Sequence, residues 1–357
     1  MTISVTSVLK KLLLLFLVIG GVYYAKEFLM PLTIGGILAT LFLPFSHWLE
    51  RQKVPKGLAV FVCFLCILLI ITLIFATIGW KVSELSSDVS AIKQKATESI
   101  DRLQQYIFNN VGISVKDQTQ ILNAEPRSYT AMVQKVVGST TTIMGDLLLV
   151  FVYFVFLLYY RSHIKKFLLK LSETSKRGEM EKIIESCTNV SQQYLVGLSK
   201  MIVCLWIMYG IGFSIIGVKN AIFFAVLCGL LEIIPFVGNI TGTTLTVLVT
   251  ALNGGDSTKI IGIVITYGIV QFIQGWVLEP LILGPQVKIN PLFTIVALIL
   301  GELLWGIPGI ILAIPITAIL KIICDNIESL KPYGFLIGEI DDGQNKRNII
   351  DKIKKKF

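Results

Sequence analysis

Charge is scarce in this chain. Asp, Glu, Lys and Arg make up only 15% of its 357 residues, against about 25% in an ordinary soluble domain, and that shortfall argues against a soluble globular fold. Histidine is scarcer still. His47 and His163 are the two copies, both at the ends of apolar runs, so a histidine-based metal centre is not expected. Signatures of catalysis are missing too: HExxH, a phosphate-cradling glycine loop and GxSxG are all absent. No enzymatic activity and no cofactor are therefore expected. Without an ATP-binding cassette, uphill transport would draw on an ion gradient or a separate protein. Cysteine is sparse where a disulfide framework would need it, since Cys63, Cys66, Cys187, Cys204, Cys228 and Cys324 all avoid the polar segment 81–138. Cys63 and Cys66 spell CxxC, but they lie in "AVFVCFLCILLI" without a second pair or a nearby histidine. They read as small apolar packing residues.

What is present is apolar surface. Hydrophobic residues are 54% of the chain and the mean hydropathy is +0.76. Long uncharged stretches approach the ~20 residues a helix needs to cross a bilayer core. The expected fold is all-α: a polytopic membrane protein with spans near 11–28, 31–49, 58–80, 140–160, 195–217, 220–251, 258–279 and 291–324. "KKLLLLFLVIGGVYYA" has the charged and apolar parts of a secretory signal. Because more spans follow at once, it reads as an uncleaved first helix. The net charge of +9 clusters beside the spans, in 50–57, 161–194 and the tail 326–357. Cytoplasmic loop bias explains that placement, so nucleic acid is not the expected partner. Eight crossings put all three basic segments and both termini on the cytoplasmic side. The organisation that follows is spans 1–3 over 1–80, an extracytoplasmic segment 81–138, spans 4–8 over 139–325 and a basic tail.

Two spans are too long. Residues 220–251 as one straight helix would reach about 48 Å at 1.5 Å per residue, against a core of roughly 30 Å. Proline removes a donor and clashes with the preceding turn, so Pro235 and Gly238 mark a break, as Pro308, Gly309 and Pro315 do in 291–324. Each is expected to be a broken or re-entrant unit that crosses once in total. Non-helical backbone at membrane depth survives only inside protein or beside a water-filled cavity, and in transporters such breaks expose groups a solute can use. The competing reading is ordinary kinking and packing. In 81–138, Leu85, Val89, Ile92, Ala96, Ile100, Leu103 and Ile107 recur at spacings of three and four, which predicts an amphipathic helix in need of a partner. A second short helix is expected from Ser128 to Val137.

Few ionisable groups lie inside the apolar runs. Glu232 stands just before the first break and Glu302 just before the second; Glu279 and Asp146 sit at span ends. Burial disfavours the charged form of a carboxylate, which suits such a group to exchanging a proton. The alternative for each is a hydrogen-bonded packing or interfacial residue. Gln271 and Gln274 lie one turn apart and can face the same side. Asn239, Thr241, Thr243 and Thr244 follow the first break and could line a path or join helices. "NGGD" at 253–256 has part of the GxGD motif of membrane aspartyl proteases but lacks its first glycine, and no second buried aspartate offers itself.

Three stretches then carry a resemblance. "EIIPFVGN" (232–239), "VQFIQGWVLEPLILGPQVKINPLF" (270–293) and "GELLWGIPGIILAIPITAILKII" (301–323) resemble the autoinducer-2 exporter family of bacterial permeases, the PerM-like proteins. The order of spans and polar segments fits that family over nearly the whole chain. The resemblance implies export of autoinducer-2 or another small polar solute across the cytoplasmic membrane, sodium–proton antiport in some members, and a homo-oligomer, with a pentamer among the arrangements. Where members often carry an acidic residue this chain has Gln274, which either shifts any proton-linked role to Glu232 or Glu302 or removes it. The expected pathway residues are Glu232, Pro235, Gly238, Asn239, Thr241, Gln271, Gln274, Glu302, Gly306, Pro308 and Gly309. The partners are a small solute or cation and the lipid bilayer. Two further functions fit the residues: a cation–proton antiporter, or a membrane assembly protein that transports nothing and uses its stripe and basic link to hold partners.

Overall fold

A computed structural model describes residues 5–87, 129–234, 237–283 and 288–339. Among these the chain is helical apart from short connections and one isolated antiparallel bridge between Ile289 and Gly338. The helices are α1 (Val5–Tyr24), α2 (Lys26–Arg51), α3 (Lys56–Ser87), α4 (Tyr129–Leu171), α5 (Arg177–Ile216), α6 (Ala221–Leu231), α7 (Val237–Leu252), α8 (Ser257–Ile273), α9 (Pro291–Trp305), α10 (Ile307–Asn326) and α11 (Lys331–Ile337). The all-α membrane architecture is observed. Six stretches are long and apolar enough to cross a bilayer: Lys26–Arg51, Lys56–Thr77, Gly145–Leu171, Thr174–Ile216, Ser257–Ile282 and Ile307–Asn326.

The chain forms two compact units. One comprises Met1–Pro44, Phe156–Met201 and Gly275–Phe357; the other Phe45–Val155 and Ile202–Gln274. In the second unit each helix buries one stripe and leaves the opposite face apolar and exposed, as a lipid-facing helix does. On α3 the buried stripe is Ala59, Val60, Cys63 and Ile67, while Phe61, Leu65, Leu68 and Leu69 are exposed. Cys63 is a free buried thiol, in keeping with a packing role. Phe64 meets Phe151 of α4 edge to face, with centroids 5.6 Å apart. On α5 Leu205, Tyr209 and Phe213 point inward, and Val203, Ile207, Ile211 and Ile215 form the exposed ridge.

The segments between spans are more helical than their polarity suggests. The helix expected from Ser128 to Val137 is not separate, because Tyr129–Leu171 runs as one helix of 43 residues; Ser128 itself lies outside the described residues. The basic link 161–194 is helical as well, broken by the single 3-10 turn Thr174–Lys176. Within the first unit, Lys165 of α4 pairs with Glu181 of α5 at 2.6 Å, both about half exposed. Leu85 falls in the last turns of α3, while Val89, Ile92, Ala96, Ile100, Leu103 and Ile107 lie outside the described residues.

Both over-long segments are interrupted, as expected, and in each the chain folds back on itself as a hairpin of antiparallel helices. In α6–α7 the backbone of Gly238 lies against the Leu231 carbonyl, and Gly242 sits opposite Cys228. In α9–α10, Gly301 and Gly309 touch backbone to backbone, and Ala313 packs on Gly301. At 1.5 Å per residue, α6 reaches only about 17 Å, α7 about 24 Å and α9 about 22 Å, all short of a roughly 30 Å core, whereas α10, with 20 residues, is long enough to cross.

Candidate functional site

The hairpin α6–α7 ends in a turn that begins at Glu232. Its N–H still reaches back to Cys228 O at 3.2 Å, and the N–H groups of Ile233 and Ile234 bond Leu230 O and Leu231 O at 3.2 and 2.9 Å. These tightened turns end the helix without leaving its last carbonyls bare. Pro235 lies outside the described residues. The chain re-enters a helix at Val237, and a Cβ at Gly238 would fall on the Leu231 carbonyl. Only glycine lets the two arms meet this closely.

That geometry fixes Glu232 inside the protein, 6% exposed. Its Oε1 accepts from Gln274 Nε2 at 2.6 Å, at the junction where α8 widens into the π-helical stretch Gln274–Leu283. Gln274, 3% exposed, accepts in turn on Oε1 from Gln271 Nε2 at 3.2 Å. The same Gln271 amide donates to the fully buried Tyr209 hydroxyl at 3.4 Å. Four side chains from α5, the hairpin tip and α8 thus form one continuous polar chain inside the second unit. Helix α8 is started cleanly by Asp256, whose carboxylate accepts from the Lys259 N–H at 3.2 Å, an ordinary N-cap. The "NGGD" aspartate therefore has a structural use.

A second polar element lies on α7. Asn239, Thr243, Thr246 and Thr250 are all buried and recur at spacings of four, three and four, which is one face of a helix. Thr246 donates to Gly242 O at 2.8 Å and lies 3.9 Å from the Cys228 sulfur. Asn239 Oδ1 and Thr243 Oγ1 are buried acceptors with no hydrogen-bond partner among the described residues. A buried acceptor left so is uncommon and calls for a water, an ion or a ligand.

The structure brings Glu232, Gln271 and Gln274 into direct contact and sets Gly238 and Asn239 in the same hairpin. Thr241 and Thr244 point the other way and are exposed. Glu302, Gly306, Pro308 and Gly309 belong to the other unit. There Glu302 is exposed, Gly306 makes the one-residue turn with φ +65°, Pro308 sits in the first turn of α10, and Gly309 is the contact on Gly301. Glu279 is exposed and Asp146 half-buried. Tyr209, Thr246 and Thr250 were not among the expected residues. The threonine spacing was a legible signal; Tyr209 sits in an otherwise apolar row and gave none. Among the described residues no cluster of His, Cys, Asp and Glu could hold a metal ion. An open, almost wholly apolar groove of about 560 Å³ lies between α5 and α6, lined by Trp206, Gly210, Ser214, Ile222 and Ala225. Its chemistry suits hydrocarbon, not a polar solute.

Apolar helices long enough to cross a bilayer, joined by folded-back hairpins, define a multi-pass membrane protein. The chain belongs to the AI-2E transporter family, whose sequence pattern matches residues 12–329. A protein of Borreliella burgdorferi, assigned to transport by its name without a substrate, is 28% identical over 98% of this chain and 95% of its own. YueF of Bacillus subtilis, named in the same way, is 27% identical over 87% and 86%. The AI-2 transport protein TqsA of Escherichia coli is 20% identical over 92% and 94%. These likenesses support a membrane transporter role and placement in the inner membrane.

Proposed function

We propose that this protein is a secondary transporter or facilitator that exports a small polar solute across the cytoplasmic membrane, and that the tip of the α6–α7 hairpin lies on the route. The carrying observation is the buried chain Glu232–Gln274–Gln271–Tyr209 at the end of a hairpin whose arms are too short to cross. Intramembrane carboxylates in such places usually serve a pathway, and interrupted helices supply the free groups around it. Asn239 and Thr243 add two acceptors that hydroxyl groups of a polar solute could satisfy. Autoinducer-2 is the first solute to test, because TqsA is named for it. With α1 and α2 as separate crossings and both hairpins returning, the number of crossings stays even. The basic link and tail then lie on the cytoplasmic side with both termini. A homo-oligomer, a pentamer among the options, remains part of this reading through the family resemblance.

The test is efflux from liposomes containing the purified protein, with autoinducer-2 inside and a pH gradient applied. Export should require the protein and fall at least tenfold in Glu232→Leu. Efflux of autoinducer-2 and of a panel of small polyols at the rate of empty liposomes would remove the proposal. The oxygen-rich set of Asn239, Thr243 and Glu232 favours one second reading, cation–proton antiport, which predicts sodium-dependent collapse of the gradient in the same vesicles.

A further inference from the structure

We propose that Glu232, Gln274, Gln271 and Tyr209 act as one reversible hydrogen-bond chain, whose donor–acceptor sense is set by the proton on Glu232 and read out at the Tyr209 hydroxyl. The inference concerns the same cluster as the transport reading, but its test needs no transport.

Each group has a fixed inventory of donors and acceptors. An ionised carboxylate has no hydrogen to give, so Glu232 must accept, and the Gln274 end facing it must be the NH₂. An amide has one donor end and one acceptor end. Gln274 therefore presents its oxygen to Gln271. Gln271 answers with its own NH₂, which also reaches the Tyr209 oxygen. Every contact in the structure thus has the sense that an ionised Glu232 dictates. The Tyr209 hydroxyl accepts from Gln271 and its hydrogen is directed elsewhere.

When a proton binds at Glu232 Oε1, the oxygen that faces Gln274, that O–H becomes a donor, and Gln274 Oε1 is its acceptor within the chain. Using it turns the Gln274 amide over, and its NH₂ then faces Gln271. Two NH₂ groups cannot pair, so Gln271 turns as well and presents its oxygen to both Gln274 and Tyr209. The phenol then donates where it had accepted. One proton arrives at Glu232, no covalent bond among the other groups forms or breaks, and two terminal amide rotations carry the change to α5. Those torsions are the soft ones of a glutamine side chain. Intermediate states with one amide turned leave two donors or two acceptors facing each other in a buried site, which favours the two end states over any mixture. The titratable groups bearing on Glu232 are Tyr209 from α5, Cys228 from α6 and Tyr267 from α8. The buried face of α7 presents neutral Asn239 and Thr243.

The experiment is pH-difference infrared spectroscopy on the purified full-length protein in lipid nanodiscs. Acidification should produce a protonated-carboxyl band that is lost in Glu232→Gln. It should be accompanied by a glutamine amide change lost in Gln271→Leu, and by a tyrosine C–O change lost in Tyr209→Phe. Tyr209→Phe deletes one hydroxyl without reshaping the helix, and its thermal melting relative to the parent verifies that it is folded. A carboxyl band assigned to Glu232 with the tyrosine change intact in Tyr209→Phe would overturn the chain as a coupled unit. So would the absence of any carboxyl band that Glu232→Gln removes.

Discussion

The hairpins α6–α7 and α9–α10 share one device and differ in everything built around it. In both, glycine lets the arms touch backbone to backbone, at Gly238 on Leu231 and at Gly301 on Gly309. The first hairpin then buries polar groups: Glu232 at its turn, and Asn239, Thr243, Thr246 and Thr250 along one face. The second turns in a single residue, Gly306, and buries Gly309, Leu312, Ala313, Pro315 and Ala318, with its carboxylate, Glu302, exposed. Its polar investment is at the base. Asn290 caps α9 by accepting from the Phe293 N–H at 2.9 Å and donates to the carbonyls of Leu336 and Gly338 at 2.8 and 3.1 Å. In the transport reading proposed above, that contrast gives the solute route to the first hairpin, while the bonds of Asn290 tie the second to its own unit.

The shared device gives the largest expected effect. Gly309→Leu would drive its Cβ into the Gly301 carbonyl, where relief requires moving backbone and not a flexible side chain. Overpacking alone costs about 1–3 kcal/mol, and separating the arms exposes further packed surface. The expected result is a loss of most folded, monodisperse protein by size-exclusion chromatography in detergent. Gly238→Ala should fail in the same way. A well-folded Gly309→Leu protein would break the equivalence of the two hairpins.

Next in size is the tip of the first hairpin. Glu232→Ala leaves the buried Gln274 N–H without its 2.6 Å acceptor, a loss of about 1–3 kcal/mol. Glu232→Gln keeps an acceptor of the same shape and should recover most of that stability. Thermal melting of the two variants measures the difference. Glu302→Ala, at an exposed position, should change melting little, since such surface changes usually stay within about 0.5 kcal/mol. Equal shifts at 232 and 302 would erase the distinction between tip and surface.

Much of this was legible from residue types. Long uncharged runs set the membrane class, because a bilayer demands length and apolarity and little else. Pro235, Gly238, Pro308 and Gly309 located both interruptions, since those residue types limit helix geometry locally. The sense of the interruptions was not legible: a broken crossing and a folded hairpin need the same breakers. What decides between them is pairwise contact, such as Gly301 on Gly309, and one sequence does not show which residues meet. Gln271 and Gln274 were readable as neighbours because they share a helix. Tyr209 was not, because its partner is 62 residues away and its own row is apolar. Thr241 was expected at the path because it follows the break, but the helical period turns it outward.

The base of the second hairpin should yield an intermediate effect. Asn290→Ala removes a helix cap, which typically costs about 1 kcal/mol, together with the two bonds to the α11 end. Hydrogen exchange should accelerate at Ile337 and Gly338 while the tip of the first hairpin keeps its protection. Faster exchange at 237–243 as well would show that the anchoring is not confined to its own hairpin.

The smallest expected effect lies on α7 itself. Thr241 is exposed and Thr243 is buried on the face that carries Asn239. Valine matches threonine in shape and lacks its hydroxyl, so the pair Thr241→Val and Thr243→Val asks only whether an oxygen is needed at each face. Thr241→Val should leave melting within about 0.5 kcal/mol of the parent and export unchanged. Thr243 Oγ1 makes no well-formed hydrogen bond among the described residues and has the weakly bonding Cys228 thiol as a neighbour, so removing it should cost little stability. Its export rate should nonetheless fall severalfold, because a solute or water crossing the tip loses an acceptor. Export that drops in Thr241→Val and holds in Thr243→Val would move the route to the exposed face of the helix. The buried threonines would then be left as ties between helices.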